Sequence, residues 1–295
     1  MAKINIETDL RSMLNRNKDG SYSTQYNRKA VLLAAGKRLT ELGFYNLPAT
    51  ALKQKHVEAL LNSWKADGLS TGTIKNRMAH MRWWAEKIGK NNLISRDNDQ
   101  YDIGRRKYVT NQSKAYQLPA DALEKIEDAR LRSSIELQNE FGLRREECLK
   151  FQPSYAINGD IDSIDKIQLK ASWTKGGRAR EIPITSQSQR DALKRAQALA
   201  GNGSMIPPDE KYHQRMNKYN WEVKKQGFDN LHGLRHNYAQ ERYKSLTGWD
   251  CPAQGGKTSR QLSVQEKEID RKARLQISSE LGHGREAITA VYLGR

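Results

Sequence analysis

The sequence predicts a mainly α-helical protein of two domains, the second carrying a small antiparallel sheet. Three observations lead there. Apolar residues recur at intervals of three and four along most of the chain. The stretch Ile167 to Ile184 alternates like a pair of strands. Residues 89–117 break the periodicity with Asn91-Asn92, Asp97-Asn98-Asp99 and Arg105-Arg106-Lys107, which suits a linker. That division sets an N-terminal helical domain at 1–88 and a second domain at 118–295, and a length of 295 residues fits two domains.

In the N-terminal domain Thr24 is placed to cap a helix running to about Leu42, with Val31, Leu32, Ala35, Leu39 and Leu42 at helical spacing. A second helix spans Thr50 to Lys65 with Val57, Leu60, Leu61 and Trp64. Ser70 or Thr71 opens a third, carrying Ile74, Met78, Met81 and Trp84. These stripes read as packing faces. The surfaces between them hold Lys53, Lys55, Lys75, Arg77 and Arg82, which either lie on the phosphates of a polyanion or form ordinary solvated surface.

Leu118-Pro119 starts the second domain. Helices at about 119–128 and 130–141 lead to Arg144, whose helix runs towards Phe151. Lys175 falls on or beside the Gly176-Gly177 turn of the strand pair, helices near 186–200 and 209–226 follow, and then the segment from His232 to Tyr243. Residues 245–270 hold Gly248, Pro252, Gly255 and Gly256 ahead of Gln265-Glu266-Lys267-Glu268, the pattern of a loop running into a helix. Gly282 and Gly284 flank His283 and place it at a turn, with Tyr292 on a short helix begun near Arg285. A break is required, because nine residues at about 100° each would put His283 and Tyr292 on opposite sides of one continuous helix.

The formal charge is +17, and it is unevenly spread. Residues 1–115 hold 21 Lys+Arg against 10 Asp+Glu, net +11; the rest hold 30 against 24, net +6. This is the footprint of a polyanionic partner, although ribosome-bound and anionic-membrane proteins share it. Met1 to Leu10 shows no continuous apolar core of a secretory signal, and no segment reaches the apolar length of a membrane span. Cys148 and Cys251 offer no disulfide framework and suit a reducing compartment. The expected location is the cytoplasm, on the nucleoid if the source is bacterial.

The chemistry lies in an ordered set in the second domain: Gly142-Leu143-Arg144-Arg145-Glu146-Glu147, then Lys175, then His232-Gly233-Leu234-Arg235-His236, then Leu281-Gly282-His283 and Tyr292. Each part has a bland reading, since a single late tyrosine is usually core or surface and His232 with His236 could be a zinc pair. No third zinc ligand stands at a familiar spacing, and Arg235 between them repels a cation. Gly255-Gly256-Lys257-Thr258 ends like a phosphate-binding loop, but Cys251 occupies the position where that loop needs its first glycine. The scattered carboxylates do not suggest a two-metal nuclease.

Taken together, the set and its order resemble the tyrosine recombinases, the lambda-integrase family, across residues 118–295. The resemblance implies DNA strand cleavage and rejoining through a covalent 3′-phosphotyrosine, without metal, nucleotide or other cofactor. The residue types suit that chemistry. Arginine donates parallel hydrogen bonds to phosphate and keeps its charge, so Arg144 and Arg235 would stabilise the negative charge that builds during attack. Tyr292 would be the nucleophile and Lys175 the general acid for the 5′ oxygen. His232 and His283 would hold the phosphate or steady proton traffic, with Glu147 and His236 in support. Lys53, Lys55, Lys75, Arg77 and Arg82 are the candidate DNA contacts of the N-terminal domain.

The family further implies double-stranded attachment sites, a tetramer on DNA and accessory DNA-bending or directionality proteins, with no membrane partner. A type IB topoisomerase-like relaxing enzyme and a non-catalytic architectural DNA-binding protein are the alternatives. Two departures stand out: Arg145 sits where the family usually has an apolar residue, and the interval from Arg235 to His283 is about twice the family's, which makes 245–270 an insertion.

Overall fold

A computed structural model describes residues 5–119, 121–228 and 230–295. The chain divides into two compact units, Met1–Lys107 and Tyr108–Arg295, each with its own core.

The first unit is helical: α1 (Ile6–Arg16), α2 (Tyr22–Glu41), α3 (Gln54–Ala66) and α4 (Thr71–Lys87). Helix α1 was not expected from the polar and apolar alternation of the first residues. Asn5 starts it by accepting the Glu7 N–H at 2.9 Å, and Ile6, Leu10, Met13 and Leu14 then fall on one buried stripe. Ser21, not Thr24, caps α2; its hydroxyl accepts the Thr24 N–H. Ser70 caps α4 in the same way, a contact whose loss to alanine costs about 1 kcal/mol. Val57, Leu60, Leu61 and Trp64 of α3 and Ile74, Met78, Met81 and Trp84 of α4 are all buried, as their spacing required.

The stretch from 89 onward is not a linker as far as Lys107. Ile94, Tyr101 and Ile103 pack into the N-terminal core, and the polar residues around them hide this from a composition count. Arg82 also departs from its expected place on a phosphate. Its guanidinium is turned inward, donating to the Ser95 carbonyl and the Asn98 side chain at 2.8 Å each, so it holds the 95–98 loop. Lys53 and Lys55 are exposed, Lys75 is half-buried, and Arg77 lies over the Trp64 ring at 5.2 Å.

The second unit begins with turns over 121–125 in place of the helix expected at 119–128; Ala120 lies outside the described residues. Helix α5 (Ala129–Phe141) is capped by Asp128, and α6 (Arg145–Lys150) and α7 (Pro153–Ala156) follow. Strands β1 (Lys166–Leu169) and β2 (Arg180–Pro183) pair antiparallel with Ile167 opposite Ile182 and Leu169 opposite Arg180. Beyond them lie α8 (Gln187–Ala200), α9 (Tyr212–Lys225), α10 (Gly233–Thr247), α11 (Val264–Glu280) and α12 (Glu286–Leu293). The core joins Leu131, Ile135 and Phe141 of α5 to Leu234 and Ala239 of α10, Ile277 of α11, Leu293 of α12 and the inner face of the hairpin.

The insertion supports α12. Trp249 donates to the Tyr243 hydroxyl, which bonds Asp270; Asp270 holds Arg274, and Arg274 donates to the Gly294 carbonyl at 2.9 Å. Lys257, in the segment that ends like a phosphate loop, is paired with Glu266. No helix among the described residues is long and apolar enough to cross a membrane.

Candidate active site

Gly142 ends α5 in the left-handed region at φ +59°, and a Cβ there would lie 2.7 Å from the Tyr238 ring. Only glycine permits both the reversal and the close approach. The chain then turns into α6 with Arg144 at its N-cap, and Glu147, one turn on, reaches back to accept the Arg144 N–H at 2.8 Å and its Nη1 at 2.7 Å. Arg144 Nη2 also donates to the Leu281 carbonyl at 3.2 Å. His232 immediately precedes α10, and Arg235, in its first turn, is fully buried; it donates to the Gly142 carbonyl at 2.5 Å and to the Leu281 carbonyl.

Tyr292 faces the same place from α12. Its hydroxyl lies 3.3 Å from Arg235 Nε and 3.3 Å from His283 Nε2, and its ring packs 4.7 Å from His236, centroid to centroid. Two stretches far apart in the sequence, 235–236 and 283–292, thus meet around one hydroxyl. The tyrosine is 6% exposed. Arg144, Lys175 and His232 line a cavity of about 470 Å³ together with Arg145, Asn220 and Tyr212, and Arg235, His283 and Tyr292 are not among its lining residues. Lys175 is exposed in the loop between β1 and β2, with Gly176 and Gly177 both at positive φ. Arg145 Nη1 donates to Asn220 Oδ1 at 2.7 Å across the same cavity, so a charged side chain replaces the usual apolar one at its rim. The His232 and His236 rings lie 5.7 Å apart, centroid to centroid, and among the described residues no three His, Cys, Asp or Glu side chains converge as metal ligands.

One member of the site was missed in the sequence. Arg180 grips both oxygens of Glu147 at 3.0 and 2.7 Å and donates Nε to the Glu280 carbonyl at 2.8 Å. It occupies an inward position of β2, where the alternation calls for an apolar residue. A charge at a core-facing strand position was the signal.

Comparison with known proteins identifies the family. The family described as phage integrase, N-terminal, matches residues 1–94, and the family described as integrase matches residues 104–241. The chain belongs to the tyrosine recombinase family. Its members are the site-specific DNA recombinases and integrases, and the matched span of this recombinase contains Arg144, Lys175, His232 and Arg235; His283 and Tyr292 lie beyond it. None of the curated protein sequences matches the chain.

Among solved structures the fold resembles lambda integrase residues 75–356 bound as a dimer to a COC′ core site (TM-score 0.59, 15% identity, covering 99% of this chain and 97% of that one). It also resembles the Tn1549 transposon integrase in complex with transposon right end DNA (0.56, 12%, 99% and 95%) and XerH site-specific recombinase bound to difH substrate (0.56, 15%, 97% and 80%). At these identities the likeness is one of fold: mostly helical, with a small antiparallel sheet.

The electrostatics of the recombinase site follow from its burial. Burial alone would raise the Glu147 carboxyl, but the hydrogen bonds and charge of Arg180, with the charges of Arg235 and Arg144, outweigh it and hold the group at about 2. Burial pulls Arg235 down to about 10, against the opposing pull of Tyr292. Burial, reinforced by nearby arginine charge, lowers His283 to about 4; burial and the neighbouring His232 lower His236 to about 4. Burial lowers His232 too.

These histidines are therefore neutral in the folded protein at neutral pH, and a stability prediction follows. As pH falls below about 6.5 the unfolded chain takes up protons first, so stability present above that value is lost as pH approaches 4. Melting temperature should fall between pH 7 and pH 5, and the variant His236→Asn/His283→Asn should show a flatter dependence. An equally steep dependence in the variant would contradict the assignment.

Proposed function

We propose that this recombinase cleaves and rejoins DNA at attachment sites through a 3′-phosphotyrosine on Tyr292. The observation that carries the reading is the Tyr292 hydroxyl 3.3 Å from both Arg235 Nε and His283 Nε2. A scissile phosphate in the cavity would meet Arg144 and His232 on its wall, with Arg235 bonded to the same Leu281 carbonyl as Arg144. Their hydrogen bonds strengthen as attack adds a second negative charge, which is the condition for catalysis rather than mere binding.

In the cleavage step the Tyr292 oxygen bonds to phosphorus and the bond from phosphorus to the 5′ oxygen breaks. The phenol proton passes to the neutral His283 Nε2, and Lys175 gives a proton to the departing 5′ oxygen. Rejoining is the reverse with a 5′ hydroxyl from the partner strand. No nucleotide is needed, because the phosphotyrosine conserves the bond energy. Glu147 holds Arg144, and His236 packs the tyrosine ring. Four subunits on two DNA sites, with accessory DNA-bending proteins, complete the reading.

The test is a supercoiled plasmid carrying two attachment sites. Recombined circles support a recombinase; relaxed topoisomers without joined sites would replace it with a topoisomerase-like activity.

The N-terminal unit contributes by charge. Lys53, Lys55 and Lys75 are proposed to lie on backbone phosphates. The variant Lys53→Glu/Lys55→Glu/Lys75→Glu should weaken binding to specific and unrelated DNA alike and reduce the slope of log affinity against log salt by about 2 to 3, at about 0.9 per lost contact. An unchanged slope over a salt series would remove these residues from the interface.

A further inference from the structure

We propose that Arg180 is a positioning residue for strand cleavage, keeping the Glu147 carboxylate paired so that Arg144 can turn from that carboxylate to the phosphate. This rests on the strand-transfer reading above.

Glu147 is wholly buried and lies among three guanidinium groups. Arg144 Nη1 is at 2.7 Å, the Arg180 fork at 3.0 and 2.7 Å, and Arg235 Nη1 at 4.0 Å. Were Arg144 its only partner, a phosphate drawing Arg144 away would strand a buried negative charge, which is among the costliest things a protein interior can hold. The carboxylate would then keep Arg144 and compete with the substrate. Arg180 removes the competition, because its planar fork satisfies both Glu147 oxygens by itself.

Arg235 reaches the nucleophile, with its Nε 3.3 Å from the Tyr292 hydroxyl, whereas Arg180 is committed to Glu147. The Arg180 side chain is 4% exposed, its Nε is spent on the Glu280 carbonyl, and both terminal nitrogens are on Glu147. Arg144 is different: its side chain is 19% exposed and lines the cavity. The charges also balance. Three arginines and one glutamate leave two positive charges, the number that a phosphate carrying a second negative charge in the transition state calls for. Without Arg180 one would remain.

Position adds a second duty. Arg180 lies in the hairpin that carries Lys175, and Gly282 packs so close that a Cβ there would be 3.0 Å from Arg180 Cδ. The glycine sits at φ +67°, immediately before His283. One side chain therefore ties the Lys175 hairpin, α6 and the His283 turn together.

The experiment compares covalent cleavage of a nicked suicide duplex by the full chain and three variants, with melting temperature recorded for each. Arg180→Gln should slow cleavage by about 100-fold or more at nearly unchanged DNA affinity. Adding Glu147→Gln removes the competing charge, so the double variant should cleave about tenfold faster than Arg180→Gln alone, a compensation that a merely structural role would not give. Arg180→Lys keeps the cation but not the fork, so its rate should lie between those of Arg180→Gln and the unmodified protein.

A double variant as slow as Arg180→Gln while melting no lower overturns the proposal. So does an Arg180→Lys variant that folds and is as slow as Arg180→Gln. Absence of an adduct from the unmodified protein would instead overturn the strand-transfer reading, and this inference with it.

Discussion

Tyr292→Phe is expected to abolish the covalent protein–DNA adduct while leaving DNA affinity within about twofold, because one hydroxyl leaves and no charge does. Arg235 and His283 lose a long hydrogen bond each, at 3.3 Å, so stability should change by no more than about 1 kcal/mol. The chain has twelve tyrosines, but three buried ones of the same unit are committed elsewhere. Tyr238 donates to Glu280, Tyr243 to Asp270 and Tyr219 to Gln138, and burial pushes all three hydroxyls well above the ordinary tyrosine range. Denaturing gels of the suicide-duplex reaction read the result. An adduct that persists in the variant would move the nucleophile to another residue.

Arg235→Ala carries the second large effect. Cleavage should fall by about 10² to 10³, the loss expected when one donor to the developing charge is removed. Because Arg235 is fully buried and satisfies the Gly142 and Leu281 carbonyls, the variant also leaves those acceptors open, at about 1 to 3 kcal/mol each. Arg144→Ala separates the two effects. Arg180 still pairs Glu147 in that variant, so its melting temperature should stay near that of the unmodified protein while its cleavage rate falls by a similar factor. Single-turnover rates and melting curves for both variants check this. Equal destabilisation in the two would contradict the division of labour around Glu147.

How much of this was legible in the sequence depends on the range of the interaction. The stripes of α3 and α4 could be read because helix burial repeats locally, and His283 at a turn with Tyr292 on a helix begun at Arg285 followed from Gly282 and the nine-residue interval. Arg144, His232, Arg235, His283 and Tyr292 could be grouped because motif order preserves what the fold brings together, and the structure puts them in one place.

Long-range pairing was not legible. The 89–107 stretch looked like a linker because its polar residues outnumber Ile94, Tyr101 and Ile103, whose burial depends on a core built by other segments. Arg82 looked like a DNA contact because nothing local reveals that its donors meet Ser95 and Asn98. Turns over 121–125 replaced a helix, with Asp128 starting α5 only afterwards. Arg180 escaped notice because its partners, Glu147 and the Glu280 carbonyl, are 33 and 100 residues away.

The central claim is tested most directly by finding where the DNA is attached. The unmodified protein is incubated with a nicked suicide duplex of its attachment site in excess chelator, denatured and digested, and the nucleotide-bearing peptide is sequenced by mass spectrometry. The account predicts a peptide from α12 carrying a 3′-phosphate on Tyr292, formed at full yield without divalent metal. Attachment at any other residue, or an adduct that forms only when magnesium is restored, would contradict it.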